Sequence, residues 1–298
     1  ELFSVQNTNF RSEFPNQPSP DYMSAKLQGS TTQRFSSRWG FFLSVLGIAV
    51  GTGNIWRFPR IAAQNGGDEG AGAFLVAWLV FLFAWSIPLI IVEYVWGRKH
   101  RVGVVATFLK EGGERFAWMG AFVAFVATAI TFFYSVVVGW CIYYLIQMVI
   151  APLPTDTETA MAVWNDYQSG GWPLLFHALA MGLGALAIGK GVKSIEKVNK
   201  VLVPTLLIIV VISVVRALML PGAWDGVAYL FTPEWSQLSQ PKIWIEALTQ
   251  NAWDTGAGWG LFLTYAAYMS TKQGVVKNAI ATAVGNNTVS LMAALMVF

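Results

Sequence analysis

Seven long apolar runs decide what this chain can fold into. They cover approximately residues 38–63, 72–97, 117–149, 173–189, 201–220, 243–269 and 277–298. A helix that crosses a bilayer needs about 20 mostly apolar residues. Within hydrocarbon every backbone N–H and C=O must find its partner inside the protein, so runs of this length read as helices. Only 12% of the chain is charged, where a soluble domain carries roughly a quarter. The expected fold is therefore all-α and membrane-embedded over 38–298, after a polar tail at 1–37 that contains Pro15, Pro18 and Pro20. The third run is long enough to tilt or to protrude.

Lysine and arginine alternate between the connections. The tail carries Arg11, Lys26, Arg34 and Arg38, and the second connection carries Arg98, Lys99, Arg101, Lys110 and Arg115. The fourth carries Lys190, Lys193, Lys197 and Lys200, and the sixth Lys272 and Lys277. The intervening connections, 64–71, 150–172 and 221–242, hold only Lys242 between them. The positive-inside rule places the N-terminus in the cytoplasm of a multi-pass plasma-membrane protein. The connection at 150–172 lacks an N-x-Ser/Thr sequon, which points to a bacterial inner membrane. The chain starts at Glu1 and stops at Phe298 inside an apolar run, and is expected to be a fragment.

Several function classes fall away. One cysteine, Cys141, permits no internal disulfide, and His100 and His177 stand in no ligand pattern. A net charge of +3 gives no reason to expect a nucleic-acid partner. No paired acids, nucleophile–base set or metal cluster lies in the spans, so an enzyme is not expected.

Two runs are interrupted. The first contains Gly47, Ala49, Val50, Gly51, Thr52, Gly53 and Asn54, then Arg57 and Pro59; the sixth contains Asp254, Gly256, Gly258, Trp259 and Gly260. Each glycine loosens a helix by roughly 1 kcal/mol relative to alanine. Such glycines can simply let helices pack closely. Two glycine-rich spans, each with polar residues in the membrane, also fit a transporter site, where unwound carbonyls hold a cation and free amides an anion.

The stretch Gly47–Pro59 (GIAVGTGNIWRFP), with Asn65-Gly66-Gly67, Gly72-Ala73-Phe74, Pro88, Glu93 and Gly97-Arg98, resembles the first two helices of the neurotransmitter:sodium symporter family. Tyr134, Trp140, Gly191, Ile195-Glu196-Lys197, Pro204, Phe231-Thr232-Pro233, Trp244, Gln250 and Asn286 continue the likeness over roughly residues 34–298. The pattern is similar to bacterial sodium-dependent amino-acid transporters of the leucine-transporter type. It implies an inverted-repeat bundle with helices 1 and 6 broken, truncated here to about seven transmembrane helices. Helix 8 would be absent, so the fragment alone is not expected to transport.

The resemblance assigns roles. A first sodium site would use Ala49, Asn54, Asp254 and Asn286; Gly47 and Val50 would belong to a second. Asparagine can equally serve as interhelical glue. An amino-acid carboxylate would meet the first sodium, amides near Gly51 and Gly53, and the Tyr134 hydroxyl. Ile130, Thr52, Trp253, Gly256 and Trp259 would line the side-chain pocket, although both tryptophans could be ordinary packing. Monoamine transporters carry aspartate at the position of Gly51; its absence here favours a substrate with its own carboxylate. Arg57, Gln250 and Trp253 would form an outer gate, with Arg57 as an interfacial anchor the plainer reading. Glu93 would accept hydrogen bonds from unwound backbone. At the inner gate Phe35 stands where the family has tryptophan and Thr32 where it has arginine, which puts that gate in doubt.

Asp254 is the main departure, because many relatives have Ser or Thr there. A carboxylate at bilayer depth costs about 2.5–3.5 kcal/mol even on lenient scales. It would either replace the chloride that animal members bind, Ser290 standing where other bacterial members carry glutamate, or couple a proton. Sodium-driven amino-acid import through the bilayer is the leading reading. An osmolyte or small-zwitterion carrier and a non-transporting channel or receptor are the alternatives, and no repeated pore motif supports a channel. Oligomeric state is left open. The charge pattern predicts that a cysteine at Asp68 reacts with a membrane-impermeant maleimide in intact cells. One at Lys197 should react only after permeabilisation, and the opposite pattern would invert the topology.

Overall fold

Each apolar run becomes helix, and glycine and proline decide where the helices widen or stop. The computed structural model describes residues 34–51, 53–270 and 272–298. The tail through Gln33, with Thr32, and the predicted pocket residue Thr52 lie outside the described residues. Span 1 is α1 (Arg38–Ala49), a π-helical turn (Gly53–Arg57) and α2 (Phe58–Gln64). Ser37 caps α1 by accepting from the Gly40 N–H at 2.9 Å. Pro59 sits in the first turn of α2, where its missing N–H has no intrahelical partner to lose. Span 2 is α3 (Gly72–Phe81), a π-helical turn (Leu82–Ser86) and α4 (Ile87–His100). The wide turn precedes Pro88, which cannot donate back into the helix.

Helix α5 (Val104–Gly112) follows, then span 3, α6 (Ala117–Ile150). At 34 residues it is about 51 Å long, well beyond a hydrocarbon core of about 30 Å. Helix α7 (Thr157–Ser169) is capped by Asp156, which accepts from Thr159 N–H at 2.8 Å. Span 4 is α8 (Trp172–Ile188), and its 17 residues sit at the short end for a crossing helix. Span 5 is α9 (Val192–Leu218), followed by α10 (Ala223–Phe231). Span 6 is α11 (Pro241–Thr255) and α12 (Leu261–Ala266), separated by Gly256–Gly260; span 7 is α13 (Val275–Val297).

Three expected connections turn out to contain helices: α5, α7 and α10. Span 5 also starts at Val192 rather than near 201, so Lys193, Lys197 and Lys200 ride on its first turns. Hydropathy cannot see such turns, because charge on a helix end at the interface stays solvated. There Glu196 accepts from the Ser36 N–H (2.7 Å) and hydroxyl (2.5 Å) and pairs with Lys200 (2.7 Å), tying the start of span 1 to span 5.

Among the described residues four apolar clusters hold the bundle, and two of them flank the breaks. One gathers Phe41, Val45, Ala49, Ile90, Tyr94, Phe262 and Ala266 with Ala279 and Ala283. The other gathers Phe58, Ile61, Phe74, Trp78, Ile243 and Ala247 with Ala294. Phe41, Val45 and Ala49 in the first half of span 1 belong to one cluster and Phe58 and Ile61 in its second half to the other, and span 6 is also divided between the two. Both breaks therefore fall at the seam between two packed cores. At one end of the first cluster Phe35 is buried, edge-on to Phe41 (centroids 5.2 Å) and stacked on Tyr265 (5.8 Å). The doubtful gate position is thus filled by an aromatic contact.

Loop ends are pinned by backbone. Arg101 takes a left-handed φ of 52° and donates to the Ala267 (3.0 Å) and Met269 (3.1 Å) carbonyls. These follow the short α12 and would otherwise lack donors. Ala71 N–H donates to Tyr229 O (2.8 Å) and Gly72 N–H to Thr232 O (2.9 Å), joining the start of span 2 to α10. A side chain at Gly72 would place Cβ 2.7 Å from the Phe231 carbonyl and the Pro233 nitrogen. Gly72→Ala is expected to lower stability by about 1–3 kcal/mol, read as a drop in thermal midpoint in detergent.

Candidate functional site

Span 6 unwinds because Gly256, Gly258 and Gly260 all take positive φ (67°, 91° and 71°), a conformation that side chains resist. The freed backbone is met by a side chain from span 2. Glu93, buried at 7% exposure, accepts from Gly258 N–H at 2.6 Å and Leu263 N–H at 3.0 Å. Asn251, a turn before the break, donates to the Trp78 carbonyl (2.8 Å) and accepts from Ser86 (3.2 Å), beside the wide turn of span 2. Thr255 donates to Asn251 O at 2.7 Å and closes the end of α11.

Span 1 breaks after Ala49. Val50 turns extended, with ψ 108°. The last carbonyls of α1 lose the next turn's amides there, which is the feature a cation site needs. Asn54 spans the gap. Its Oδ1 accepts from Gly51 N–H at 2.7 Å, and its Nδ2 donates to Asn286 Oδ1 (2.9 Å) and Ser290 Oγ (2.8 Å). The Ser290 hydroxyl donates to Asp254 Oδ2 at 2.5 Å. Asp254 Oδ1 is buried and has no hydrogen-bond partner among the described residues. A buried carboxylate oxygen without a donor calls for a cation or a proton.

The two breaks and span 3 enclose a cavity of about 330 Å³. Gly47, Ala49, Val50, Gly51, Gly53 and Asn54 line it from span 1. Ile130 and Tyr134 face them from α6, and Trp253, Asp254, Gly256 and Trp259 complete the wall from span 6. The structure thus gathers every described residue predicted for the substrate pocket. Tyr134 stacks on Trp253 (centroids 6.2 Å, planes 26° apart), and Trp259 meets Trp253 edge-on at 5.6 Å. A Cβ at Gly51 would meet the Tyr134 ring at 3.9 Å, an ordinary van der Waals contact. Because Asn54 already occupies the Gly51 amide, a carboxylate there would compete with it.

Three predicted residues lie behind the wall. Asn286 connects to the cavity lining through Asn54 and, by way of Ser290, Asp254. Arg57 donates to Gln250 Oε1, with its guanidinium carbon 6.0 Å from the Trp253 ring centre. Through Trp253 the pair contacts a residue of the cavity wall. Four lining residues escaped the sequence reading: Ile48, Ala127, Thr131 and Leu261. Ala127 and Thr131 share the α6 face of Ile130 and Tyr134 by helical spacing, a signal present in the sequence but shared by every apolar residue of that span.

The donor set suits a hard cation. Among the described residues no three His, Cys, Asp or Glu side chains cluster as a metal site. The oxygens on offer are main-chain carbonyls, two amides and one carboxylate, which favour ions such as sodium over soft metals.

A family model described as the sodium:neurotransmitter symporter family matches residues 32–171 and 165–298. The chain belongs to this family. It is 34% identical over 278 residues to an uncharacterized sodium-dependent transporter, MJ1319, of Methanocaldococcus jannaschii, across 89% of this chain and 55% of that protein. It is 29% identical to the sodium-dependent serotonin transporter of Drosophila melanogaster, across 90% of this chain and 49% of that one. Among solved structures, MhsT in complex with L-phenylalanine superposes with a TM-score of 0.80 at 30% identity, covering 89% of this chain and 60% of MhsT. The chain spans about half the length of the curated relatives it matches.

These comparisons bear out the all-α, leucine-transporter-like bundle, and they make this family member a multi-pass membrane protein related to transporters rather than to enzymes. Replacing Glu93 tests the support of the second break. Glu93→Ala leaves the buried Leu263 amide and the more exposed Gly258 amide without their acceptor and should cost about 1–3 kcal/mol, with Glu93→Gln intermediate. Thermal midpoints in detergent read the order, and an unchanged Glu93→Ala protein would refute the support.

Proposed function

We propose that this chain forms the sodium- and substrate-binding portion of a sodium-coupled symporter that imports an amino acid by alternating access, independently of chloride. The carrying observation is the buried Asp254 oxygen without a donor, beside the end of α1 and the Asn54–Asn286 pair. A sodium ion there would be held by Asp254 Oδ1, the Ala49 carbonyl, and the oxygens of Asn54 and Asn286. A second would draw on the carbonyls of Gly47 and Val50. The relatives named as sodium-dependent transporters support the coupling ion.

The substrate carboxylate would complete the first ion's shell and meet Gly53 N–H and Tyr134. Its side chain would project toward Ile130, Ala127, Trp259 and Leu261, a mostly apolar wall. MhsT was solved with L-phenylalanine, and this wall supports an apolar amino acid here as well. Arg57, Gln250 and Trp253 would close the outer path, with the N-terminus in the cytoplasm.

Asp254 supplies the fixed negative charge that chloride supplies elsewhere. Its negative charge offsets the bound cation, and Ser290 orients it. Full-length protein in proteoliposomes should take up labelled amino acid when sodium is outside, equally in chloride and in gluconate. Asp254→Ser should lose uptake in gluconate and recover it in chloride. Uptake that stays lost at every chloride level would sink the charge-replacement reading; uptake driven by a proton gradient alone would assign Asp254 to protons.

A further inference from the structure

The amides behind the candidate cation site admit one consistent orientation, and it ends on a residue with no role so far. Gly51 N–H is a backbone donor and cannot turn around. It bonds Asn54 Oδ1 at 2.7 Å, so Asn54 must present Nδ2 to span 7. That Nδ2 donates to Asn286 Oδ1 at 2.9 Å, so Asn286 must point its own Nδ2 the other way. There the acceptor is Asn287 Oδ1, at 3.2 Å. The series stops at Asn287, whose Nδ2 is buried with no partner among the described residues. Asn287 is 4% exposed and lines neither the cavity nor a lipid-facing surface.

A buried amide nitrogen left without an acceptor is costly, and here the cost falls on Asn287 so that Asn286 is satisfied on both sides. Without the Asn287 oxygen, the Asn286 Nδ2 would be the unmet donor. Its amide could then turn and offer N–H groups where a cation needs oxygen.

We propose that Asn287 is a positioning residue for the sodium site: its side-chain oxygen holds the Asn286 amide with Oδ1 toward Asn54 and the ion site. This rests on the sodium reading of the site and adds to it a residue that touches neither ion nor substrate. Partners of this kind commonly change metal affinity by about 10- to 100-fold when removed.

The test is a sodium titration of the full-length protein in detergent, with choline replacing sodium at constant ionic strength and thermal midpoint as the readout. Asn287→Ala should raise the half-saturating sodium concentration about tenfold, while leaving the midpoint at saturating sodium close to wild type. Asn287→Asp keeps the acceptor oxygen but adds a buried negative charge near the ion, so it should bind sodium at least as tightly as wild type. Because Asn287 acts through Asn286, the double variant Asn286→Ala/Asn287→Ala should bind sodium no more weakly than Asn286→Ala alone. Wild-type-like titration of Asn287→Ala overturns the proposal, as does an Asn287→Asp protein with weakened sodium binding or additive losses in the double variant. A wild-type protein whose midpoint ignores sodium overturns the underlying sodium reading as well, which separates the two failures.

Discussion

Backbone that leaves a helix inside a membrane must be paired again, and the rest of this structure is arranged around that demand. Two spans unwind where water is scarce. In span 6 the debt falls on amide N–H groups, and one carboxylate, Glu93, takes two of them. In span 1 the Gly51 N–H is taken by Asn54, beside the last carbonyls of α1. The asymmetry makes chemical sense: the satisfied break is a support, and the other carries the proposed binding site.

The breaks stay open because their flanks are held separately. Ala49 and Phe262 pack in one core, Phe58 and Ala247 in the other. Each half-helix is fixed by apolar contacts of its own, so the seam between the cores can carry polar groups without loosening the bundle. Span 7 passes along this seam and supplies Ala279 and Ala283 to one core, Ala294 to the other, and Asn286 and Ser290 between them. A helix that is small-sided toward both of these cores and polar between them suits a bundle whose breaks lie at their seam.

Much of this was legible in the residue order. Gly256, Gly258 and Gly260 announced a break, and the first-helix motif announced another, because glycine acts locally through its own backbone. Glu93 was read correctly as an acceptor, since a buried acid needs donors and the break supplies them. Helices α5, α7 and α10 were missed, because an interfacial helix is polar enough to resemble a loop. Ala127 and Thr131 were missed for the opposite reason, being indistinguishable from the other small or apolar residues of a long span.

The sequence by itself determined that the chain crosses a membrane, where it breaks, and which residue types stand at the breaks. These follow from local properties: apolar length, glycine conformational freedom, and the cost of burying a charge. Only the tertiary structure decided which groups satisfy one another. Asn54 turned toward Gly51, Asn286 parked against Asn287, and Asp254 with one oxygen unpartnered among the described residues are consequences of three spans meeting at one depth. Hydrogen-bond direction depends on neighbours more than two hundred residues away in the chain, and no local pattern carries that information.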